Sequence, residues 1–282
     1  MGSRMAARLL EAGFALTVWD REPRTMVALT AAGARGASEP AEIVRDADIV
    51  ITMLWDDEVA EAIVERTLIP AAREGTTFIE MTTLSPAMQI RLAAAADARG
   101  CSFLEAPVTG SKEAAANGEL TALVGGPPEL LERHRDVLEA MASKILYVGP
   151  NGSSGALKLG NNQLIALLAA AWGEALATAL AGGVDRRLAL DMYASTFSRV
   201  AMMKAPTVLE RDFSPHFTVD ALLKDMHAAL RTADAAGRYL PVLRAVLPIF
   251  EAAVRDGDGA QDFSIIVDRI SSDAPVLEEV TR

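Results

Sequence analysis

The sequence is poor in the residues that make disulfides and metal centres. It has one cysteine, Cys101, and three histidines, His134, His216 and His227, which stand in separate segments. A lone cysteine closes no intramolecular disulfide, and none of the histidines has the i, i+4 spacing that sets two imidazoles on one helix face. Cys101 reads as a small buried hydrophobe, and no metal site is expected. Long apolar runs are missing too: the longest, residues 164–173, is closed by Glu174 and is about half of what a bilayer-spanning helix requires. The opening MGSRMAARLLEAG has Arg4 but no continuous apolar core and no cleavage pattern, so it does not read as a signal peptide, and a cytoplasmic location is expected. Positive charge is scarce, with 27 Lys and Arg against 38 Asp and Glu and a net charge of −11. That balance offers no general basic field to a phosphate backbone, so neither nucleic acid nor membrane is expected as a partner. An anionic ligand must meet individually placed cations or backbone N–H groups.

What is present is apolar bulk: 51% of 282 residues are hydrophobic, enough for one large domain or two of ordinary size. Up to about Gly149, short β-rich runs alternate with amphipathic stretches, the pattern of βαβ units around a parallel sheet. The expected strands are residues 15–20, 49–54, 76–81, 103–108, 120–124 and 145–148. A helix over residues 5–12 ends on Gly13, and Ser85-Pro86 opens another over 87–99. After Pro150 the strands stop. Helices are expected over residues 156–182, 187–199, 218–237 and 240–256, with a frayed tail after Ile270. The reading is an α/β protein: a Rossmann-like dinucleotide-binding domain over residues 1–149, then an all-helical domain over 150–282. The apolar 156–182 helix suits a core or a subunit contact, so a homodimer or larger homo-oligomer is expected.

A doubly wound domain opens with a strand, and a glycine turn then delivers the chain to a helix whose N-terminus holds a pyrophosphate. Here the helix comes at once. Met1-Gly2-Ser3-Arg4-Met5-Ala6 matches the tail of the pattern G-x-G-x-M-G-x-x-M-A, so Gly2 stands where the third glycine belongs. A missing central strand would remove roughly five ladder hydrogen bonds from each neighbour, each worth about 1 kcal/mol net. The expectation is therefore a natural chain with about ten more residues upstream and Met1 internal.

Three segments carry chemistry: EAPVTGSKEAAANGELTALVGG at residues 105–126, GPNGSSGALKLGNN at 149–162 and FSPHFTVDALLKDM at 213–226. Lys158 and Asn162 are i, i+4 and share a helix face. Their neighbours Leu157, Leu159, Leu164 and Ile165 are apolar, which isolates the ammonium. Such a lysine either snorkels at a helix start or serves as a proton donor, an effect on the order of 10² to 10⁴ in rate. Thr109-Gly110-Ser111 follows a strand and precedes a short helical stretch, which makes it either an ordinary capped turn or a carboxylate site. Trp19-Asp20-Arg21 ends the second strand position with an acid suited to ribose hydroxyls and a base suited to a 2′-phosphate.

In order and over essentially the whole chain, these segments resemble the D/E-A-P-V-S/T-G substrate segment, the K-x-x-N-N catalytic helix and the K-D block of the β-hydroxyacid dehydrogenase family. The resemblance implies hydride transfer between a nicotinamide cofactor and a small carboxylate-bearing aldehyde or 3-hydroxy acid. It makes Lys158 the proton donor or acceptor, with Asn162 orienting it or binding the substrate oxygen, and it places the substrate carboxylate at Thr109, Gly110 and Ser111, with Lys112 either adding charge or lying in solvent. The cofactor residues it implies are Gly2, Arg21, Met53 and Leu54 (within TMLW), Thr83 (within MTTLSP) and Lys224. NADP is preferred to NAD because Arg24 adds a second cation, although Asp20 departs from the Asn-Arg of NADP-using relatives. Glyoxylate and succinic semialdehyde reductases are nearest in motif, then 3-hydroxyisobutyrate and tartronate semialdehyde enzymes. Imine reductases share the fold but usually lack the lysine. A catalytically silent cofactor-binding or oligomerisation protein is the other alternative.

Overall fold

A computed structural model of the chain describes residues 1–181, 183–196, 199–235 and 239–271, which form two compact units that divide between Leu159 and Gly160. The first unit starts with helix α1 (Gly2–Glu11). Its Met5 and Leu9, one turn apart, are buried against Ile79, Leu104 and Leu120. The helix ends before Gly13, whose φ of +87° is the left-handed backbone expected there. Strand β1 (Thr17–Val18), helix α2 (Val27–Ala31) and strand β2 (Arg35–Gly36) follow, and β1 and β2 make a separate two-stranded parallel sheet. Strand β3 (Ile49–Thr52) starts the larger sheet. A helical segment comes next: α3 (Asp57–Ala60), a π-helical stretch (Glu61–Leu68) and α4 (Ile69–Ala71). Then come β4 (Thr77–Glu80), α5 (Pro86–Asp97), β5 (Ser102–Glu105), β6 (Val108–Thr109), α6 (Lys112–Asn117), β7 (Leu120–Gly125), α7 (Pro128–Arg133), α8 (Arg135–Glu139) and β8 (Ala142–Gly149).

The larger sheet runs β3-β4-β5-β7-β6, with β8 also on β7. The β3–β4, β4–β5 and β7–β8 ladders are parallel, as the βαβ pattern predicts, but β7 is antiparallel to both β5 and β6. The excursion over residues 110–119 is too short for a parallel crossover, so the chain simply turns back. The expected strand at 103–108 divides into β5 and β6 at Pro107, which has no N–H to give a ladder. The expected strand at 15–20 shortens to Thr17–Val18, paired along one edge with β2, while β3 belongs to the other sheet. Strand β4 is buried along its whole length: Ile79 faces the α1 side, and Phe78, with Val50 and Phe103, faces Leu68 and Leu92. Ser85 caps α5 as expected, its hydroxyl accepting from Met88 N at 3.2 Å.

Helix α9 (Ser153–Ala181) begins in the first unit, three residues before the expected start at 156. The second unit continues with α10 (Arg186–Thr196), α11 (Arg199–Glu210), α12 (Val219–Ala235), α13 (Pro241–Arg255) and α14 (Ile265–Ser271). Val219, Leu222, Met226 and Leu230 recur at helical spacing as the buried stripe of α12. The expected helix ends at Gly182 and Gly237, and the tail at 272–282, lie outside the described residues.

Asp262 organises the entry to α12. One oxygen accepts from Lys204 Nζ at 2.8 Å and from the N–H groups of His216 and Phe217 at 3.1 Å, and the other accepts from Ser264 Oγ at 2.7 Å. Burial works against its ionisation, but Lys204 and Ser264 outweigh burial and hold the carboxyl below its usual range. Replacing Lys204 by methionine leaves a buried charge without its counter-ion. Chemical denaturation is expected to show a loss of about 3–5 kcal/mol, and a loss under about 1 kcal/mol would mean that the pair contributes little.

Candidate active site

Apart from Lys224, which belongs to the second unit, the residues singled out for the cofactor lie in two groups within the first unit. Helix α1 has no side-chain N-cap and no acidic residue in its first turn, so its leading N–H groups and the positive end of its dipole are open to an anion. A side chain at Gly2 would sit 3.6 Å from Met53 Cβ, so these two candidates are neighbours. Leu54 N–H donates to Thr82 Oγ1 at 2.7 Å, which ties the segment after β3 to the segment after β4, where Thr83 lies half-buried. An uncapped helix start beside a half-buried apolar wall fits the pyrophosphate and ring of a dinucleotide. Arg21 is exposed on the turn after β1. The neighbouring polar groups engage locally: Asp20 Oδ1 accepts from Glu22 N at 2.8 Å, and Arg24 lies 3.6 Å from Glu22. Arg24 is thus partly neutralised, which weakens the preference for NADP that rested on it.

The candidate carboxylate loop is shaped by glycine and self-capping. Thr109 ends β6. Gly110 has φ +143°, and a side chain there would come within 2.7 Å of Leu120. Ser111 is the N-cap of α6, its hydroxyl accepting from Ala114 N at 3.2 Å. The capped-turn feature of the sequence is present: the Ser111 hydroxyl takes one N–H of the first turn, and the O–H donors and the loop backbone are what can meet an anion.

Lys158 and Asn162 lie one turn apart on α9, 8% and 2% exposed. Not all of their apolar neighbours pack, however. Leu159 is buried, while Leu157 and Leu164, seven residues apart on one stripe, are 48% and 54% exposed. In the second unit Asp225, itself buried, accepts from Asn162 Nδ2 and lies 3.1 Å from Lys224 Nζ, while Asn161 Nδ2 donates to Asn162 Oδ1 at 3.3 Å. Asp225 therefore joins Asn162 and Lys224, two candidates read from separate motifs.

The residue given no role from the sequence is Glu105. It is fully buried at the end of β5, and its Oε1 accepts from Ser154 N at 3.0 Å, in the first turn of the helix that carries Lys158. Burial raises its pKa, against the pull of the Ser154, Gly152 and Gly155 donors. Two glycines make room for it: a side chain at Gly125, its register partner on β7, would come 2.2 Å from Oε1, and one at Gly155 would come 3.6 Å from Oε2. The available sign was a lone carboxylate in the otherwise apolar run FLEAPV. Gly125→Ala is expected to cost roughly 2–4 kcal/mol, and adding Glu105→Ala should recover part of that loss. Strictly additive losses in thermal melts would show that the two side chains do not compete for the space.

Residues 1–149 match the family model described as the NAD binding domain of 6-phosphogluconate dehydrogenase, and residues 152–270 match the one described as NAD-binding of NADP-dependent 3-hydroxyisobutyrate dehydrogenase. An NAD-dependent L-serine dehydrogenase of Pseudomonas aeruginosa is 34% identical, the match covering 94% of this chain and 93% of that one. The chloroplastic glyoxylate/succinic semialdehyde reductase 2 of Arabidopsis thaliana is 28% identical over 96% of this chain and 77% of its own length. A solved Mycobacterium tuberculosis 3-hydroxyisobutyrate dehydrogenase with L-serine superposes with a TM-score of 0.89 at 30% identity, covering 96% of both chains. The two matched domains and the named relatives favour a hydroxyacid dehydrogenase over the imine reductase alternative. The chain belongs to the β-hydroxyacid dehydrogenase family and is an NAD(P)-dependent oxidoreductase acting on hydroxyl groups.

Proposed function

We propose that Lys158 is the acid–base residue of a reversible reaction that interconverts a small carboxylate-bearing aldehyde and its 3-hydroxy acid. The observation that carries this reading is the burial of Lys158. An ammonium withdrawn from water to 8% exposure does not serve solubility, and it sits on a helix whose first turn is fixed by Glu105. When bound, the nicotinamide cofactor supplies or accepts the hydride. In the reducing direction Lys158 Nζ gives its proton to the carbonyl oxygen, and in the oxidising direction it takes the hydroxyl proton back. Asn162, its amide oriented by Asp225, holds the lysine or the same oxygen. The hydroxyls of Thr109 and Ser111 and the backbone at Gly110 receive the carboxylate.

For the cofactor, the reading assigns Gly2, Arg21, Met53, Leu54 and Thr83 in a domain of residues 1–149, and Lys224 in a helical domain of residues 150–282. Arg21 supports NADP and Asp20 supports NAD; NADP is retained on the strength of the arginine. The proposed assembly is a cytoplasmic homodimer or larger homo-oligomer, supported by the exposed stripe of Leu157 and Leu164 on α9. Among the described residues no helix is long and apolar enough to cross a membrane. The semialdehydes of the motif match define one substrate range, and the L-serine in the names of two of the similar proteins adds a 3-hydroxy acid to it.

Oxidation of NADPH and NADH with glyoxylate, succinic semialdehyde, tartronate semialdehyde and methylmalonate semialdehyde, and reduction of NADP and NAD with L-serine, tests the reading. Lys158→Ala should lose on the order of 10² to 10⁴ in kcat on the best substrate while cofactor affinity is kept. A variant that stays within about tenfold of the parent would remove Lys158 from the chemistry and reopen the silent-binding alternative.

A further inference from the structure

The carboxyl ends of the central strands carry a row of in-register residues, Thr52, Glu80, Glu105 and Gly125. Glu105 anchors α9. Glu80, also fully buried, has a different set of partners. Its Oε2 accepts from Thr52 Oγ1 at 2.6 Å and its Oε1 accepts from Thr82 N at 2.8 Å. The Thr82 hydroxyl also donates to this carboxylate and in turn accepts from Leu54 N at 2.7 Å. One side chain thus holds the segment leaving β3, with Met53 and Leu54, and the segment leaving β4, with Thr83.

We infer that Glu80 is a positioning residue that sets the two segments walling the cofactor site, and thereby the affinity for the nicotinamide cofactor. The inference rests on the proposed cofactor role of Met53, Leu54 and Thr83. Burial pushes the Glu80 carboxyl from 4.5 up to about 7, against the pull of Thr52 and Thr82. The titratable groups nearest it on the neighbouring elements are Glu105 on β5, and Asp56 and Asp57 after β3, which accept from Val59 N and Ser85 N; α5 contributes the buried neutral Gln89, while its Arg91 pairs with Glu61 and Glu65. Among the described residues no cation contributes to this shift, and Glu80 changes charge near neutrality. Ionised, it accepts from both threonines, and the chain from Leu54 N–H through Thr82 O–H to the carboxylate is polarised in one direction. Protonated, its own O–H must point at a threonine oxygen, which reverses one of those bonds and loosens the hold on Leu54.

The two consequences of this titration have opposite signs. Because the folded pKa lies above the unfolded one, the stability contributed by Glu80 is present below about pH 4.5 and is lost as pH rises through about 7. Cofactor affinity should rise over the same interval. The test is a fluorescence titration of the full chain with NADPH and with NADH from about pH 5.5 to 8.5, with thermal melts of the cofactor-free chain alongside. The parent should bind roughly three- to tenfold more tightly at the alkaline end. Glu80→Gln keeps both contacts in the arrangement of the protonated acid, so its binding and melting curves should be flat near neutrality, with binding at the parent's acid-limb value. Thr52→Val removes one bond to the ionised form and should move the parent's inflection to higher pH. Parallel profiles for the parent and Glu80→Gln would overturn the inference alone, whereas absence of cofactor binding by the parent at every pH would overturn the cofactor reading with it.

Discussion

The hydrogen bond from Ser154 N–H to Glu105 Oε1 is the contact on which the proposed catalytic part of the first unit depends. Glu105 ends the strand that leads within four residues to Thr109, and Ser154 lies one turn before Lys158. The loop proposed to hold the substrate carboxylate and the lysine proposed to move the proton are thus referred to one buried carboxyl. Its position is defended sterically as well. Gly125 is bare because the Glu105 head fills the volume a side chain would need, and Gly155 lets the helix backbone descend onto Leu84 and Gln89. A buried carboxylate is expensive unless donors surround it, and the first N–H groups of a helix are donors with no other partner. Helix start and carboxylate therefore stabilise each other.

The same solution recurs in the second unit. Asp262 gathers Lys204, Ser264 and two backbone N–H groups, and so fixes the chain on its way into α12. A turn and a half along that helix, Asp225 collects the amide of Asn162 and approaches the ammonium of Lys224. Each unit is apolar in bulk and takes its local precision from a few buried carboxyls tied by specific donors. This is what fixed geometry requires: apolar packing is tolerant of small shifts, while a carboxylate with two or three donors accepts only a narrow set of positions.

Much of this was legible in the chain. The short β-rich runs around Ile51, Phe78 and Leu123 mark strands in their places, Gly13 and Ser85 mark helix ends, and the K-x-x-N-N spacing puts Lys158 and Asn162 on one face. The spacing could not show that Ser111 caps its own helix, that Leu157 and Leu164 stay exposed, or that β7 runs against β5. Each depends on how far the chain travels before it turns, which pattern does not record. Glu80 and Glu105 were hidden for a different reason. A glutamate at the end of an apolar run reads as the first solvated residue after a strand, and only the register that sets Thr52, Glu80, Glu105 and Gly125 side by side shows that these carboxyls turn inward.

The charge balance gives the buried carboxyls a further significance. A chain of net charge −11 must still receive a dinucleotide and a carboxylate, both anionic. Long-range attraction cannot supply the binding, because beyond about 8–10 Å the field of so acidic a surface repels, and salt only screens it. On the proposed reading, binding comes from short-range positive ends: the uncapped start of α1, the hydroxyl and N–H donors of residues 109–111, and the buried ammonium of Lys158. Each acts within a few ångströms and in a medium less polarisable than water, where a single dipole or charge counts for more. Around the buried Glu80 and Glu105, hydrogen-bond donors offset the negative charge that an anion at the proposed site would otherwise meet.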